Sequence, residues 1–196
     1  MWWARLLNVI SGLLAGGVAA STTSYESIAT VLVGSGGAAS IDFTSIPQTY
    51  KHLQIRGIMR GSASTTSNDQ VRIRFNDDSA NNYAYHMLLG SGSAATASGT
   101  ATQPQIIGMQ IVGSGSTANV FGASVTDILD YTSTTKNKTV RILDGQDTNG
   151  AGYVVFQSGL WYKTPEAITK ISIYYPNGST AGIGQYSHFA LYGIKG

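Results

Sequence analysis

The sequence predicts an all-β fold, a jelly-roll-like β-sandwich preceded by a short N-terminal amphipathic helix. Ten or eleven segments alternate apolar and polar residues, as half-buried strands do, and turns rich in Gly, Ser and Asn separate most of them. Helical spacing of apolar residues is confined to the first 20 residues. The chain has no Cys, so it lacks the Cys–Trp–Cys pattern of immunoglobulin-like sandwiches, which favours a jelly roll.

The N-terminal segment, residues 1–20, is apolar and unlike the rest of the chain, and Gly16–Gly17 is typical of a helix end. We expect it to be a docking helix whose contacts are made by Trp2, Trp3, Leu6, Leu7, Ile10, Leu13 and Leu14. Its apolar run is shorter than the about 20 residues that a bilayer requires, so no membrane span is predicted. The alternative is a secretory signal with Arg5 as the basic region and residues 18–20 as the cleavage site.

Residues 21–24 are a polar linker, and the sandwich domain is predicted to occupy residues 25–196. The strands are predicted at 25–33, 38–43, 52–59, 70–75, 83–89, 105–112, 120–131, 139–143, 153–162, 168–174 and 186–194. Runs of small polar residues at 62–68 and 91–102 are predicted to be exposed loops, or loops ordered by a neighbouring subunit.

The composition limits the classes of function. Only 11% of the residues are charged and the net charge is +2, which gives no reason to expect a nucleic-acid partner. Such low charge produces little repulsion between copies and suits a protein that is assembled with others. Without Cys there is no disulfide, thiol nucleophile or thiolate metal site.

We find no catalytic motif and predict that the chain is not an enzyme. The three His residues are isolated, and neither a Gly-x-Ser-x-Gly elbow nor a phosphate-binding loop before a helix is present. Asp127 and Asp130 are three apart in one predicted strand and so point to opposite sides. Residues 76–82 and 144–150 offer oxygen ligands for Ca²⁺, but turn chemistry accounts for the same residues, and we expect no cofactor.

Candidate contact residues are few. Arg72 and Arg74 share one face of a strand and are predicted to be either solvated or, with Arg56, part of an interface that pairs with carboxylates such as Asp42 or Asp69. A glycan would draw on aromatic rings, and the candidates are Trp161, Tyr162, Tyr83 and Tyr85.

A group of segments spread over nearly the whole chain carries a family resemblance. They are SYESIATV at 24–31, VGSGG at 33–37, FTSIP at 43–47, YKHLQIR at 50–56, RIRFN at 72–76, DILDY at 127–131 and YSHFALYGI at 186–194. Together they resemble structural proteins of the virions of tailed bacteriophages from aquatic environments. This resemblance implies a location on the virion surface and no catalytic residues.

The resemblance implies a surface appendage, such as a tail fibre or knob, anchored by the N-terminal helix for assembly or host adhesion. The alternative is a capsid decoration or cement protein that stabilises the shell. The expected partners are other copies of the chain in a homotrimer, other tail or capsid proteins, and a host surface glycan. A second alternative, which requires a cleaved leader, is a secreted carbohydrate-binding module.

Overall fold

The computed structural model describes residues 23–63 and 65–196, which form two antiparallel sheets arranged as a sandwich. The strands are β1 Tyr25–Leu32, β2 Ser40–Phe43, β3 His52–Met59, β4 Asn68–Phe75, β5 Tyr83–Gly90, β6 Ala95–Gln103, β7 Ile106–Val112, β8 Gly122–Leu129, β9 Lys138–Asp147, β10 Gly152–Trp161, β11 Ile171–Tyr174 and β12 His188–Ile194. The predicted all-β sandwich is therefore confirmed. The predicted docking helix and its contact residues lie outside the described residues.

One sheet has eight strands in the order β1-β12-β3-β8-β9-β10-β5-β6, and the other has four in the order β2-β11-β4-β7. Strands that follow each other in the chain, such as β1 and β2 or β7 and β8, often lie in different sheets. Two hairpins, β5–β6 and β9–β10, stay within the eight-stranded sheet and widen it beyond its partner. The larger sheet therefore has a broad outer face.

Alternation of burial along the strands places the core between the sheets. In β8 and β9 every second side chain is buried, which is the period that an antiparallel sheet covered on one face imposes. Both sheets supply apolar side chains to this interior, with Leu53, Ile55, Ile128 and Ile142 from the larger sheet and Ile73, Ile106 and Ile171 from the smaller. Burial of this cluster is the main favourable term that holds the sheets together.

The eleven predicted strands all coincide with observed ones, within a few residues at each end. The prediction for 91–102 is wrong, because Ala95–Gln103 forms β6 and pairs with β5. Residues 34–37 form a turn between β1 and β2, in which the Gly37 N–H donates to the Gly34 carbonyl at 3.0 Å. Gly37 has φ +68°, and a Cβ there would lie 2.9 Å from the Ala181 carbonyl oxygen, so this turn requires glycine.

Across residues 23–63 and 65–196, no helix has the length and apolar character needed to cross a membrane.

Candidate interaction surface

The outer face of the eight-stranded sheet, turned away from the four-stranded sheet, carries the most unusual surface of the described residues. Large apolar side chains, all exposed except the half-buried Val125, are neighbours there on adjacent strands. We call this set the apolar patch, and it consists of Ile58, Leu88, Val125, Leu143, Val154 and Phe156. Phe156 is 55% exposed and Ile58 is 52% exposed. Single exposed apolar residues are ordinary on soluble proteins, but a contiguous group marks an interaction site.

The strand register makes the patch continuous. Phe156 pairs with Leu88 on one side and with Leu143 on the other, and Leu143 pairs in turn with Val125. Directly opposed residues in antiparallel strands have Cβ atoms about 5 Å apart, so these four side chains form one row across β5, β10, β9 and β8. An open depression of about 590 Å³ lies at the Leu88 and Phe156 end of the row.

A polar ladder runs beside the patch on the same face, across β3, β8 and β9. The Arg141 guanidinium contacts Asp127 Oδ2 at 3.0 Å, and Gln54 Nε2 donates to Asp127 Oδ1 at 2.8 Å. The Gln54 Oε1 atom in turn accepts from Arg56 Nε at 2.9 Å. The Arg56 guanidinium lies 5.5 Å from the ring centre of Tyr192, within cation–π range.

This ladder leaves donors for a partner. Arg56 uses its Nε–H in the hydrogen bond to Gln54, and the Arg141 side chain is 72% exposed. A guanidinium carries five N–H donors, so both groups retain donors for a ligand or a second protein. The exposed Arg141–Asp127 ion pair adds little to folding stability because water and salt screen it.

The other predicted arginines lie on the opposite side of the molecule, on the outer face of the four-stranded sheet. Arg74 Nε donates to the Pro104 carbonyl at 3.0 Å, and its guanidinium lies 4.8 Å from the ring centre of Tyr174. Arg72 Nη1 donates to Gln70 Oε1 at 3.1 Å, and partial burial lowers the pKa of Arg72. In the described residues the hydrogen bonds of Arg72 and Arg74 go to neutral groups, and their pairing with carboxylates across an interface stays a prediction.

Asp42, one of the two carboxylates proposed for that pairing, is held by other residues. It accepts hydrogen bonds from Ser40 and Ser172, and Lys170 lies 3.8 Å away. Burial raises the pKa of Asp42, but these hydrogen bonds and the lysine outweigh it and leave the pKa below its ordinary value.

Trp161 is not a surface contact, because it is 2% exposed and lies between the sheets. Its ring stacks on Tyr83, with ring centres 6.2 Å apart, and lies 5.5 Å from the ring of Phe75. Trp161 Nε1 donates to Asp78 Oδ2 at 2.7 Å, which gives the buried N–H its partner. Tyr162 is half-buried, and its hydroxyl donates to the Asn81 carbonyl at 2.8 Å.

The His, Asp and Glu side chains of the described residues are dispersed. No three His, Asp or Glu side chains within them are placed to share a metal ion. In the segment 76–82, the Asp78 carboxylate is occupied by protein donors, which include Trp161 Nε1 and Asn82 Nδ2 at 2.9 Å. Asp78 therefore has a structural role: its carboxylate stabilises the turn at 76–82 and satisfies the buried N–H of Trp161.

Asp144 is the one described carboxyl group whose pKa lies near neutrality. Burial raises its pKa to about 7, and the nearby Ser124 hydroxyl and the hydrogen bond from the Gln110 N–H reduce this rise. Asp144 is only 2% exposed and lies between the sheets, where no substrate reaches it. A general acid or base must be within hydrogen-bond reach of its substrate, so this geometry does not support catalysis by Asp144.

Sequence reasoning missed the apolar patch, because it identified strands without deciding which side of each strand faces inward. In β10 the exposed apolar side chains are Val154 and Phe156, whereas Val155 and Gln157 point inward. The signal that could have found part of the patch is the alternation along β9. Val140, Ile142, Asp144 and Gln146 share its inward side, so Leu143 must point outward.

Comparisons with known proteins give no family. No protein-family model matches the sequence, and no curated protein matches it. Among solved structures, the marine PL-14 alginate lyase from Aplysia kurodai is similar at 5% identity with a TM-score of 0.34, over 84% of this chain and 80% of the lyase. A similarity of that degree supports no inference about function.

Proposed function

We propose that this protein is a structural protein of a bacteriophage virion surface, a non-catalytic β-sandwich that assembles through the outer face of its eight-stranded sheet. The observation that carries the proposal is the apolar patch, a continuous set of exposed apolar side chains at the centre of the broadest face. A surface of this kind favours burial against another protein. The segments that resemble virion proteins of tailed phages favour a location on the virion surface.

The strand order supports a jelly roll. Without the two hairpins, the sheets read β1-β12-β3-β8 and β2-β11-β4-β7, so each strand of the first set is adjacent in the chain to one of the second. We interpret this order as an eight-stranded jelly roll in which the β5–β6 and β9–β10 hairpins are additions. Jelly rolls occur in viral capsid proteins and also in lectins, so the fold is compatible with either role and decides neither.

The occupant that we propose for the apolar patch is a second copy of this chain, within a homotrimer. The net charge of +2 opposes association only weakly. The adjacent ladder contains the acid Asp127 as well as two arginines, so both positively and negatively charged groups of a neighbouring copy would find opposite charges there. A ring of three copies requires that the patch meet a different surface of the next copy.

The oligomeric state of the full chain tests this proposal. Size-exclusion chromatography with light scattering should give the mass of three chains of 20.6 kDa each at micromolar concentration. Phe156→Glu should give a folded monomer, because it places an unpaired charge in the proposed interface. The control Thr134→Glu changes an exposed turn residue and should leave the trimer intact. A monomeric wild-type chain, or a trimer that persists in Phe156→Glu, would contradict the proposal.

Within the virion we favour a tail appendage that displays the sandwich for host adhesion, with the residues 1–20 segment as its attachment. A capsid decoration protein is the alternative, and copy number separates the two.

A second candidate function, glycan binding, is favoured by the polar ladder itself. Amide, carboxylate and guanidinium groups lie in a line next to the rings of Tyr192 and Tyr25, which stand 5.5 Å and 6.0 Å from the Arg56 guanidinium. Such a surface offers hydrogen bonds to hydroxyl groups and an apolar ring for a sugar face. Glycan-array binding that is lost in Arg56→Ala and retained in Arg74→Ala would support this function over pure assembly.

A further inference from the structure

The two sheets have four edge strands, and three of these edges carry features that hinder the addition of another strand. The edges are β1 and β6 of the larger sheet and β2 and β7 of the smaller. An exposed edge presents unpaired N–H and C=O groups to other chains, so proteins shorten, charge, bulge or cover their edges. β2 is only four residues long and carries Asp42, and β1 carries Glu26 and a bulge between Ser27 and Ala29. Both are therefore poor templates for a further strand.

The third edge, β7, is capped by side chains of the larger sheet. The Ile107 carbonyl accepts a hydrogen bond from the Gln157 amide, and the Gln110 N–H donates to Asp144 Oδ2 at 3.0 Å. These hydrogen bonds occupy backbone groups that a further strand would need. β7 is therefore protected against pairing with another chain.

β6 is the edge without such protection. Its nine residues, Ala95–Gln103, include no charged residue and no Pro, and seven of the nine are exposed. Side-chain hydrogen bonds from Thr102 and Gln103 reach the Ala101 carbonyl, whereas no side chain of the described residues caps the backbone of residues 96–100. Every second residue of an antiparallel edge strand directs its N–H and C=O away from its own sheet. Residues 96–100 therefore present unpaired backbone groups to another chain.

β6 is held in register by a contact with His86 on β5. His86 is directly opposite Gly99, and a Cβ added at Gly99 would lie 2.4 Å from His86 Cδ2. The imidazole ring therefore lies over the glycine, and an aromatic ring over an edge glycine helps to fix the strand register. Pairing with β5 is regular from Ala95 to Thr100, and the register shifts only beyond Thr100. The free edge is therefore an ordered, regular strand.

The sequence of this edge is complementary to itself in the antiparallel direction. Hydroxyl side chains alternate with small ones, so one face carries Thr96, Ser98 and Thr100 and the other carries Ala95, Ala97 and Gly99. Antiparallel pairing of two copies about Ser98 places the two Ser98 side chains opposite each other and Thr96 opposite Thr100 of the partner subunit. Hydroxyl residues in such positions form favourable cross-strand pairs.

We propose that β6 is a docking edge for a second copy of this chain, with the two β6 strands antiparallel about a twofold axis at Ser98. A twofold contact requires one surface that is complementary to itself, and this edge satisfies that requirement. A charged edge would favour a partner of opposite charge, whereas an uncharged edge does not repel its own copy. Leu88 is opposite Ala97, so the apolar patches of both copies lie on one face of the joined sheet.

This contact is separate from the trimer interface proposed at the apolar patch. The paired segment is short and its contact area is small, so we expect association at concentrations far above micromolar, as inside an assembled particle. The β6 contact joins trimers if the patch forms them, and it joins monomers if the patch does not. Its test is therefore independent of the proposed function.

Cysteine cross-linking of the full chain tests the pairing and its register, since the chain has no Cys of its own. Directly opposed residues have Cα atoms about 4.5–5.5 Å apart, which a disulfide spans. Ser98→Cys at about 0.5 mM in a glutathione redox buffer should give a disulfide-linked dimer of two 20.6 kDa chains. Thr96→Cys alone should give little dimer, whereas its mixture with Thr100→Cys should give it. The control Ser93→Cys, in the exposed β5–β6 turn, should also give little.

A charge at the twofold axis provides a second measurement that needs no cysteine. In sedimentation velocity, the mass of the wild-type species should rise between about 10 μM and about 1 mM. Ser98→Lys should abolish this rise because two like charges then face each other, and the control Ser93→Lys should retain it. An equimolar mixture of Ser98→Lys and Ser98→Glu should restore it.

Three results would overturn the proposal. No more dimer from Ser98→Cys than from Ser93→Cys would mean that the edge faces solvent or a different protein. Equal cross-linking by Thr96→Cys alone would place the axis elsewhere than at Ser98. Association that is unchanged in Ser98→Lys would mean that copies meet only through another surface.

Discussion

Replacing Asp144 by Asn should stabilise the protein above pH 5 and remove a pH dependence from its unfolding. The carboxyl is 2% exposed, and one of its oxygens already accepts a hydrogen bond from the Gln110 N–H. An Asn has the same shape and keeps that acceptor, and its amide carries no charge that burial could penalise.

The size of the effect follows from the shift in pKa. The folded protein holds the Asp144 proton up to a pKa of about 7, whereas the ordinary value is 3.8. Because the folded pKa is raised, stability is greatest below about pH 4 and falls as the pH rises to about 7. At about 1.4 kcal/mol per pH unit, the loss approaches 4 kcal/mol at pH 8 and is absent from Asp144→Asn.

Urea unfolding followed by circular dichroism, at pH 4, 5, 6, 7 and 8, measures this difference. The two proteins should have similar free energies of unfolding at pH 4, and the variant should be more stable by about 2–4 kcal/mol at pH 8. Asp147→Asn, the exposed control, should follow the wild type. Parallel curves for wild type and Asp144→Asn, or a less stable variant at pH 8, would refute the reasoning.

Three further substitutions test the packing and the surface through chemical denaturation. Tyr83→Phe should cost about 1–3 kcal/mol, because the Phe75 N–H then loses its buried acceptor at 3.1 Å; no loss would mean that this hydrogen bond is replaced. Ile55→Ala should cost about 2–5 kcal/mol, since Ile55 is fully buried, and Leu143→Ala should cost less, since Leu143 is 45% exposed; equal costs would contradict the assignment of faces. Arg141→Ala should cost under about 1 kcal/mol and less at high salt, because its side chain is 72% exposed; a larger, salt-independent loss would contradict a screened ion pair.

Most strands could be predicted from the sequence because one of their faces is apolar. β3 and β12 illustrate this, with Leu53 and Ile55 on one and Phe189 and Leu191 on the other, all buried. β6 could not be predicted, because its residues are Ala, Thr, Ser, Gly and Gln, with mostly exposed side chains. Backbone pairing with β5 defines that strand, and such pairing leaves little trace in composition.

The candidate surface was only partly predictable, because the hydrophobic pattern predicts neither the exposed apolar patch nor the polar ladder beside it. Arg56 was singled out from the sequence and does lie on the outer face, in contact with Gln54 and Tyr192. Phe156 looks like a core residue in the sequence but is 55% exposed, whereas Gln157 is buried. Gln157 points inward because its amide donates to the Ile107 carbonyl at the free edge of β7. Phe156, the adjacent residue along the strand, therefore points outward.

The buried position of Asp144 was hidden for a related reason. The sequence interpretation treated 144–150 as one acidic turn, but β9 continues to Asp147. Asp144 and Gln146 are therefore strand residues on the inward side, and Gln110 comes from the other sheet. Long-range placement of this kind cannot be inferred from local spacing.

The most direct test of the proposed virion role is the copy number of the protein in purified particles of a phage whose genome encodes it, by quantitative mass spectrometry with the major capsid protein as the reference. We predict about six copies or a small multiple of six, as for a tail appendage, and loss of incorporation when residues 1–20 are deleted. A count in the hundreds would instead indicate a capsid decoration protein. Absence of the protein from virions would contradict the account and would favour a secreted glycan-binding module.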